Sequence, residues 1–242
     1  MLRRRTTSAA LGTLLFAIIA ATASPVVAQT RSAHEGTRRH HRHTSHAHTD
    51  ARAYRANVHR WHDASDVAPA PRTPDGRLVL RLFSLNTHAR AEIAPGAGDG
   101  PERFDAAACS QVATVLMDAR TRAEHTIDPQ LIDMLYRVAA HFDAREVRIV
   151  SGFRAESGHS NHALGRAVDF IIPGASDSAV VAYAQSLGDV GVGFYPVSGF
   201  VHLDVRDRLT TWVDASGPGA APRYAHRHHH GLHHDSGRTA HR

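Results

Sequence analysis

Three side chains able to bind a divalent metal fall close together in this chain: His162, Asp169 and His202. Two neutral imidazoles and one carboxylate make a three-ligand set for Zn²⁺ that leaves the fourth tetrahedral position free for water. That open position separates a hydrolytic zinc from a structural one. His162 stands in Ser160-Asn161-His162, Asp169 in Ala167-Val168-Asp169-Phe170-Ile171-Ile172, and His202 in Phe200-Val201-His202-Leu203-Asp204-Val205. A carboxylate inside so apolar a run is costly to bury unless a cation compensates it, and a metal is the simplest compensation.

The flanking residues indicate how these groups are positioned. The β-branched and aromatic run 167–172, closed by Pro173-Gly174, predicts a buried strand, with His162 on the loop that feeds it. Strand side chains alternate, so His202 and Asp204 share one face of their strand while Val201, Leu203 and Val205 share the other. If the two strands pair, His162, Asp169 and His202 converge on one ion. Elsewhere, residues 77–85 read as a strand and Asp105 as the cap of a helix carrying Val112, Val115 and Leu116. Asp128-Pro129 starts a helix with Leu131, Ile132, Leu135, Val138 and Ala139 on its apolar face. Glu146 to Val150 reads as a strand, Ser176 or Asp177 caps a helix that stops at Gly188, and a turn lies near Pro196 to Gly199. Partly segregated helices and strands predict an α+β domain with a small, mainly antiparallel sheet.

The pattern Ser-x-His-x-x-Gly-x-Ala-x-Asp at 160–169 is preceded by Ser151-Gly152-Phe153-Arg154 and followed by Gly191-Val192-Gly193-Phe194-Tyr195-Pro196 and Gly199-Phe200-Val201-His202-Leu203-Asp204. In these motifs the chain resembles the YcbK-like murein endopeptidases of the D-Ala-D-Ala carboxypeptidase and Hedgehog-like zinc peptidase superfamily, over about residues 75 to 213. The resemblance implies a fold of that type, Zn²⁺ on His162, Asp169 and His202, and hydrolysis of the cross-linked stem peptides of peptidoglycan. The family usually carries a longer loop before the Ser-x-His motif, where this chain has only Ala155 to His159.

Relatives place an arginine at position 154 that binds substrate or stabilises the oxyanion, and a guanidinium suits that role. The plain alternative is a surface Arg154 paired with Glu156. Relatives in the carboxypeptidase branch carry a glutamate base three residues before the last histidine, where this chain has Gly199. Asp204 is then the candidate general base, or equally an acceptor that orients an imidazole. Ser160 orients the loop or contacts peptide rather than attacking, His159 is near but outside the motif, and Trp212 reads as a packing residue after the last strand. His88, His125 and His141 read as surface residues.

The ends account for the remaining length of the 242-residue chain. Arg3-Arg4-Arg5, the apolar run from Ala9 to Ala23 and Val26-Val27-Ala28 have the organisation of a secretory signal peptide over residues 1–28, placing the protein in the periplasm with no stable membrane span after cleavage. Residues 29–76 are rich in His and Arg and read as a disordered linker, 77–215 as the peptidase domain, and 216–242 as a His-rich disordered tail. The tracts either bind transition metals or are simply solvated. All 28 basic residues are Arg, so lysine chemistry is excluded, and their concentration in the ends does not mark a nucleic-acid domain. Cys109 is the only cysteine, which excludes an intrachain disulfide and a Cys-ligated zinc, and its apolar setting predicts burial. Two rival functions remain: a metal-bearing cell-wall peptide binder without turnover, and a periplasmic metal buffer built on the tails.

Overall fold

The computed structural model describes residues 51–224. The expected signal peptide and most of both histidine tracts lie outside the described residues. The elements run α1 (residues 51–62), β1 (Leu80–Ser84), β2 (Arg90–Ile93), a short 3₁₀ turn (Gly100–Arg103), α2 (Ala106–Val115), α3 (Pro129–His141), β3 (Val147–Ser151), β4 (Ala167–Ile171), α4 (Asp177–Gln185), β5 (Val190–Tyr195), β6 (Phe200–Val205) and β7 (Thr210–Val213). The strands form one seven-stranded sheet in the order β2-β1-β3-β4-β6-β5-β7. Four of its six pairings are antiparallel, while β1–β3 and β5–β7 are parallel. The expectation of an α+β domain with a mainly antiparallel sheet holds in this mixed form.

The expected caps are in place. Asp105 accepts from the Ala108 amide at 2.8 Å, Asp128 from Gln130 at 2.9 Å, and Ser176 from Ala179 at 3.3 Å, each satisfying an amide that has no partner within its helix. The core lies between one sheet face and helices α2, α3 and α4. There Leu80, Leu82, Ile149, Val168, Phe170, Val192, Val201 and Leu203 meet Val112, Leu131, Leu135, Val138 and Val180. Cys109 is only partly buried at the edge of this cluster, and burial raises its thiol pKa.

The opposite sheet face carries the polar residues, and α1 lies on it. Arg148 and Ile171 are cross-strand partners, and alternation puts Ile171 on the face of Asp169. Arg148 donates to the carbonyls of Arg60, Trp61 and Asp63 at 2.8 to 3.0 Å, tying the end of α1 to that face. At the other end the Tyr54 hydroxyl donates to the Ser198 carbonyl at 2.7 Å, and Val58 packs on Gly199. The expected linker 29–76 is therefore corrected over residues 51–62: Tyr54, Asn57, Val58, Trp61 and His62 recur on one helical face, and each is half-buried. The domain also extends past its expected end, since Asp214 bridges to Tyr224 and its carboxylate accepts the amides of Ser216 and Arg223 at 2.9 Å. Strands β2 and β7 were not anticipated, and Trp212 lies within β7 rather than after the last strand. No helix among the described residues is long and apolar enough to cross a membrane.

Candidate metal centre

Strands β4 and β6 pair antiparallel with Asp169 directly opposite His202. Cross-strand neighbours on one face bring their Cβ atoms to about 5 Å, so register alone delivers two of the three groups. His162 arrives from the preceding loop, which turns through hydrogen bonds from Ala163 and Leu164 to the Ser160 carbonyl. One ligand atom from each of His162, Asp169 and His202 lies within 4.8 Å of the others, and all three residues are buried. This is the convergence expected of the strands.

The remaining polar atoms of the three residues are already engaged. The His162 Nδ1–H donates to the Gly152 carbonyl at 2.7 Å, which leaves the Nε2 lone pair facing Asp169 Oδ1 at 3.5 Å. His202 presents Nδ1 to Asp169 Oδ1 at 2.8 Å and Nε2 to Asp204 Oδ2 at 3.1 Å. Arg154 pairs with Asp169 Oδ2 and donates through Nε to Ser151 Oγ at 2.8 Å. One free donor atom per residue thus points at a shared point, a set that suits a small divalent cation.

The charges are tightly coupled. Burial opposes ionisation of Asp169, but the neighbouring imidazoles of His162 and His202 hold its carboxyl well below the usual range. For His202, burial opposes the imidazolium, and Asp169 and Asp204 outweigh it and raise the pKa. Asp204 is lowered despite its burial, by His202 and by Arg206, whose Nε and Nη2 reach its two oxygens at 2.6 and 2.9 Å. A carboxylate so engaged is a poor proton acceptor and a firm anchor for an imidazole.

Glu156 pairs with Arg120 at 2.5 Å, so Arg154 does not have the surface partner weighed for it. Ser160 bonds Ser157 at 2.6 Å and caps the turn, and exposed His159 lines a cleft of about 950 Å³ with Arg166, Arg206 and Trp212. His88, His125 and His141 are exposed. At Gly199 φ is +68°, and a side chain there would collide with Val58 of α1; the position faces the N-terminal helix. Two neighbours were given no place at the site by the sequence reading: Trp212, read only as a packing residue, and Asp118. Trp212 places its ring 5.1 Å from that of His202, occupying space that a side chain at 193 would take, since a Cβ there would lie 2.6 Å from the indole. Asp118 accepts the amides of Arg120, Thr121 and Ala155 at 2.8 to 2.9 Å, bracing the loop that carries Arg154, and the amides of Thr121 and Ala155 lower its pKa to about 2. An aspartate two and three residues ahead of the amides it accepts is an Asx-turn signal readable at Asp118-Ala119-Arg120-Thr121.

A family model described as peptidoglycan L,D-endopeptidase MepK matches residues 72–212. The chain belongs to that family. Among curated proteins it is 30% identical over 155 residues to the probable peptidoglycan L,D-endopeptidase MepK of Haemophilus influenzae, covering 58% of this chain and 81% of that relative. It is 32% identical over 148 residues to the MepK of Escherichia coli K12, covering 54% of this chain and 78% of that relative. No solved structure matches. The MepK family match begins after α1 and ends on Trp212, so α1 lies outside it.

Proposed function

We propose that this protein is a zinc-dependent endopeptidase that hydrolyses peptide cross-links of peptidoglycan in the periplasm and so remodels the cell wall, within a D-Ala-D-Ala-peptidase and Hedgehog-like fold. The observation that carries the reading is the cross-strand pair Asp169–His202 completed by His162, with the other polar atoms of all three residues already bound. The names of its relatives, peptidoglycan L,D-endopeptidases, support the substrate class. His162 Nε2, Asp169 Oδ1 and His202 Nδ1 would hold the ion, and zinc bound there supplies Lewis-acid chemistry and an acidified water. Asp169 Oδ2 holds Arg154 at the rim, where its remaining N–H groups are available to a polarised substrate carbonyl. Asp204 fixes the His202 ring through Nε2 and is itself fixed by Arg206.

One observation favours the rival reading of a binder without turnover: Asp204, the carboxylate beside the ligand set, is saturated by His202 and Arg206. Exposed His159 in the cleft is the remaining candidate for proton transfer. Digestion of intact sacculi decides between the two. Release of muropeptides that stops on chelation, returns with zinc and is absent in His202→Ala supports the peptidase. Sacculi bound but uncleaved by zinc-loaded protein would establish the binder.

A further inference from the structure

The site face of β5 is unusual in carrying almost no side chains. Gly193 stands opposite His202 and Gly191 opposite Asp204, so Tyr195 is the first side chain of this strand on the face of the metal centre. Its ring stacks on Phe200 at a centroid distance of 4.5 Å, across the pairing Tyr195–Phe200. Its hydroxyl oxygen accepts the Trp212 Nε1–H at 3.1 Å, and that indole lies against His202. Indole nitrogen is a donor only, so the bond fixes which way the phenol is used: the oxygen's acceptor side is taken and the O–H is left to donate. Among the described residues, no hydrogen bond is made by that proton. Burial, with a contribution from the charge of Asp169, holds the phenol above its usual pKa and therefore protonated at neutral pH.

Arg154 approaches Asp169 from the β3 side of the ligand pair, whereas Tyr195 stands on the β5 side, beyond His202. We propose that the Tyr195 hydroxyl, held by Trp212, donates a hydrogen bond to the scissile carbonyl oxygen as it becomes tetrahedral, opposite Arg154. This rests on the peptidase reading. It makes Tyr195 a catalytic residue and Trp212 the residue that positions it. A neutral donor at this place stabilises the oxyanion without adding a second cation beside the metal, and its fixed orientation spares reorganisation during the reaction.

Tyr195→Phe in the full chain keeps the ring, its stacking and the fold, and removes only the donor. The expected result is a fall in kcat of about 10²-fold with KM little changed, because the lost interaction belongs to the transition state. The affinity for a phosphinic stem-peptide analogue, which carries a tetrahedral oxyanion, should fall by the same factor, while that for the cleaved peptide product stays as in the wild type. Trp212→Phe should give a smaller loss of the same kind, since it frees the hydroxyl to rotate. Wild-type kcat and phosphinate affinity in Tyr195→Phe overturn the proposal, as does equal loss of product and phosphinate binding, which marks a packing role. A wild-type protein that neither cleaves the cross-linked peptide nor binds the phosphinate refutes the peptidase reading itself, and the inference with it.

Discussion

Asp204→Asn tests how the proposed metal centre is held together. Asp204 accepts from His202 Nε2 at 3.1 Å and from Arg206 Nε and Nη2 at 2.6 and 2.9 Å, so all its near partners are donors. Asparagine keeps the shape and replaces one acceptor by an NH₂ group. With the amide oxygen toward Arg206 Nε, the NH₂ faces His202 and favours the tautomer whose proton sits on Nδ1, the nitrogen needed by the metal. With the amide turned over, the oxygen serves His202 but the NH₂ opposes Arg206. A charge-assisted bond of about 1.5–3 kcal/mol becomes a neutral one of about 0.5–1.5 kcal/mol, a difference of about 1–2 kcal/mol or roughly 10-fold in affinity, with the tautomer penalty adding to it. Metal affinity should therefore fall by about 10- to 100-fold. Turnover of a cross-linked muropeptide is measured against free zinc fixed by a chelator buffer, which makes the reading independent of the histidine tracts. The half-saturation point should move to higher zinc while the plateau stays near the wild-type value. A plateau about 100-fold lower at an unchanged half-saturation point would refute this reasoning and make Asp204 the general base.

Asp118→Asn keeps a single acceptor oxygen, so it loses either the Ala155 amide or those of Arg120 and Thr121, and should cost about 1–3 kcal/mol of stability and lower turnover by loosening Arg154; unchanged turnover and melting midpoint would deny the brace. Because its folded pKa is depressed to about 2, the stabilisation from Asp118 is complete above the ordinary carboxylate pKa near 3.8 and disappears as pH falls through the interval between them, which an acid melting series of wild type against the variant would show. His62 has the opposite sign: its hydrogen bond to Asp177, 3.1 Å away, raises its pKa, so its contribution is fully present below 6.5 and is lost as pH rises through the raised value. The destabilisation caused by Asp177→Asn, read from melting midpoints, should accordingly be larger at pH 5.5 than at pH 8.5, and equal losses at both would contradict the pair.

Much of the site was legible in the residue order because it depends on short-range rules. Strand alternation put His202 and Asp204 on one face, the apolar run around Asp169 demanded a compensating cation, and the caps at Asp105, Asp128 and Ser176 needed only local backbone geometry. The roles of Arg154 and Asp204 were left open for a physical reason: each depends on which partner the fold supplies. Arg154 had a neighbour in sequence, Glu156, yet Glu156 went to Arg120 and Arg154 to Asp169, fifteen residues away. Residues 51–62 read as linker because their composition is polar, although Tyr54, Val58 and Trp61 stand at helical spacing. A stripe that short stabilises a helix only when a surface receives it, and the surface is the polar face of a sheet formed by residues far along the chain. Likewise β7, closed by a parallel pairing to β5, brings Trp212 over Gly193 to His202 and Tyr195, a contact that no local pattern encodes. The sequence by itself determined which residue types are available to ligate a metal and the local elements that carry them. The tertiary structure alone decided which partner each charged side chain meets, because hydrogen-bond geometry and desolvation are set by neighbours that only long-range strand pairing brings together.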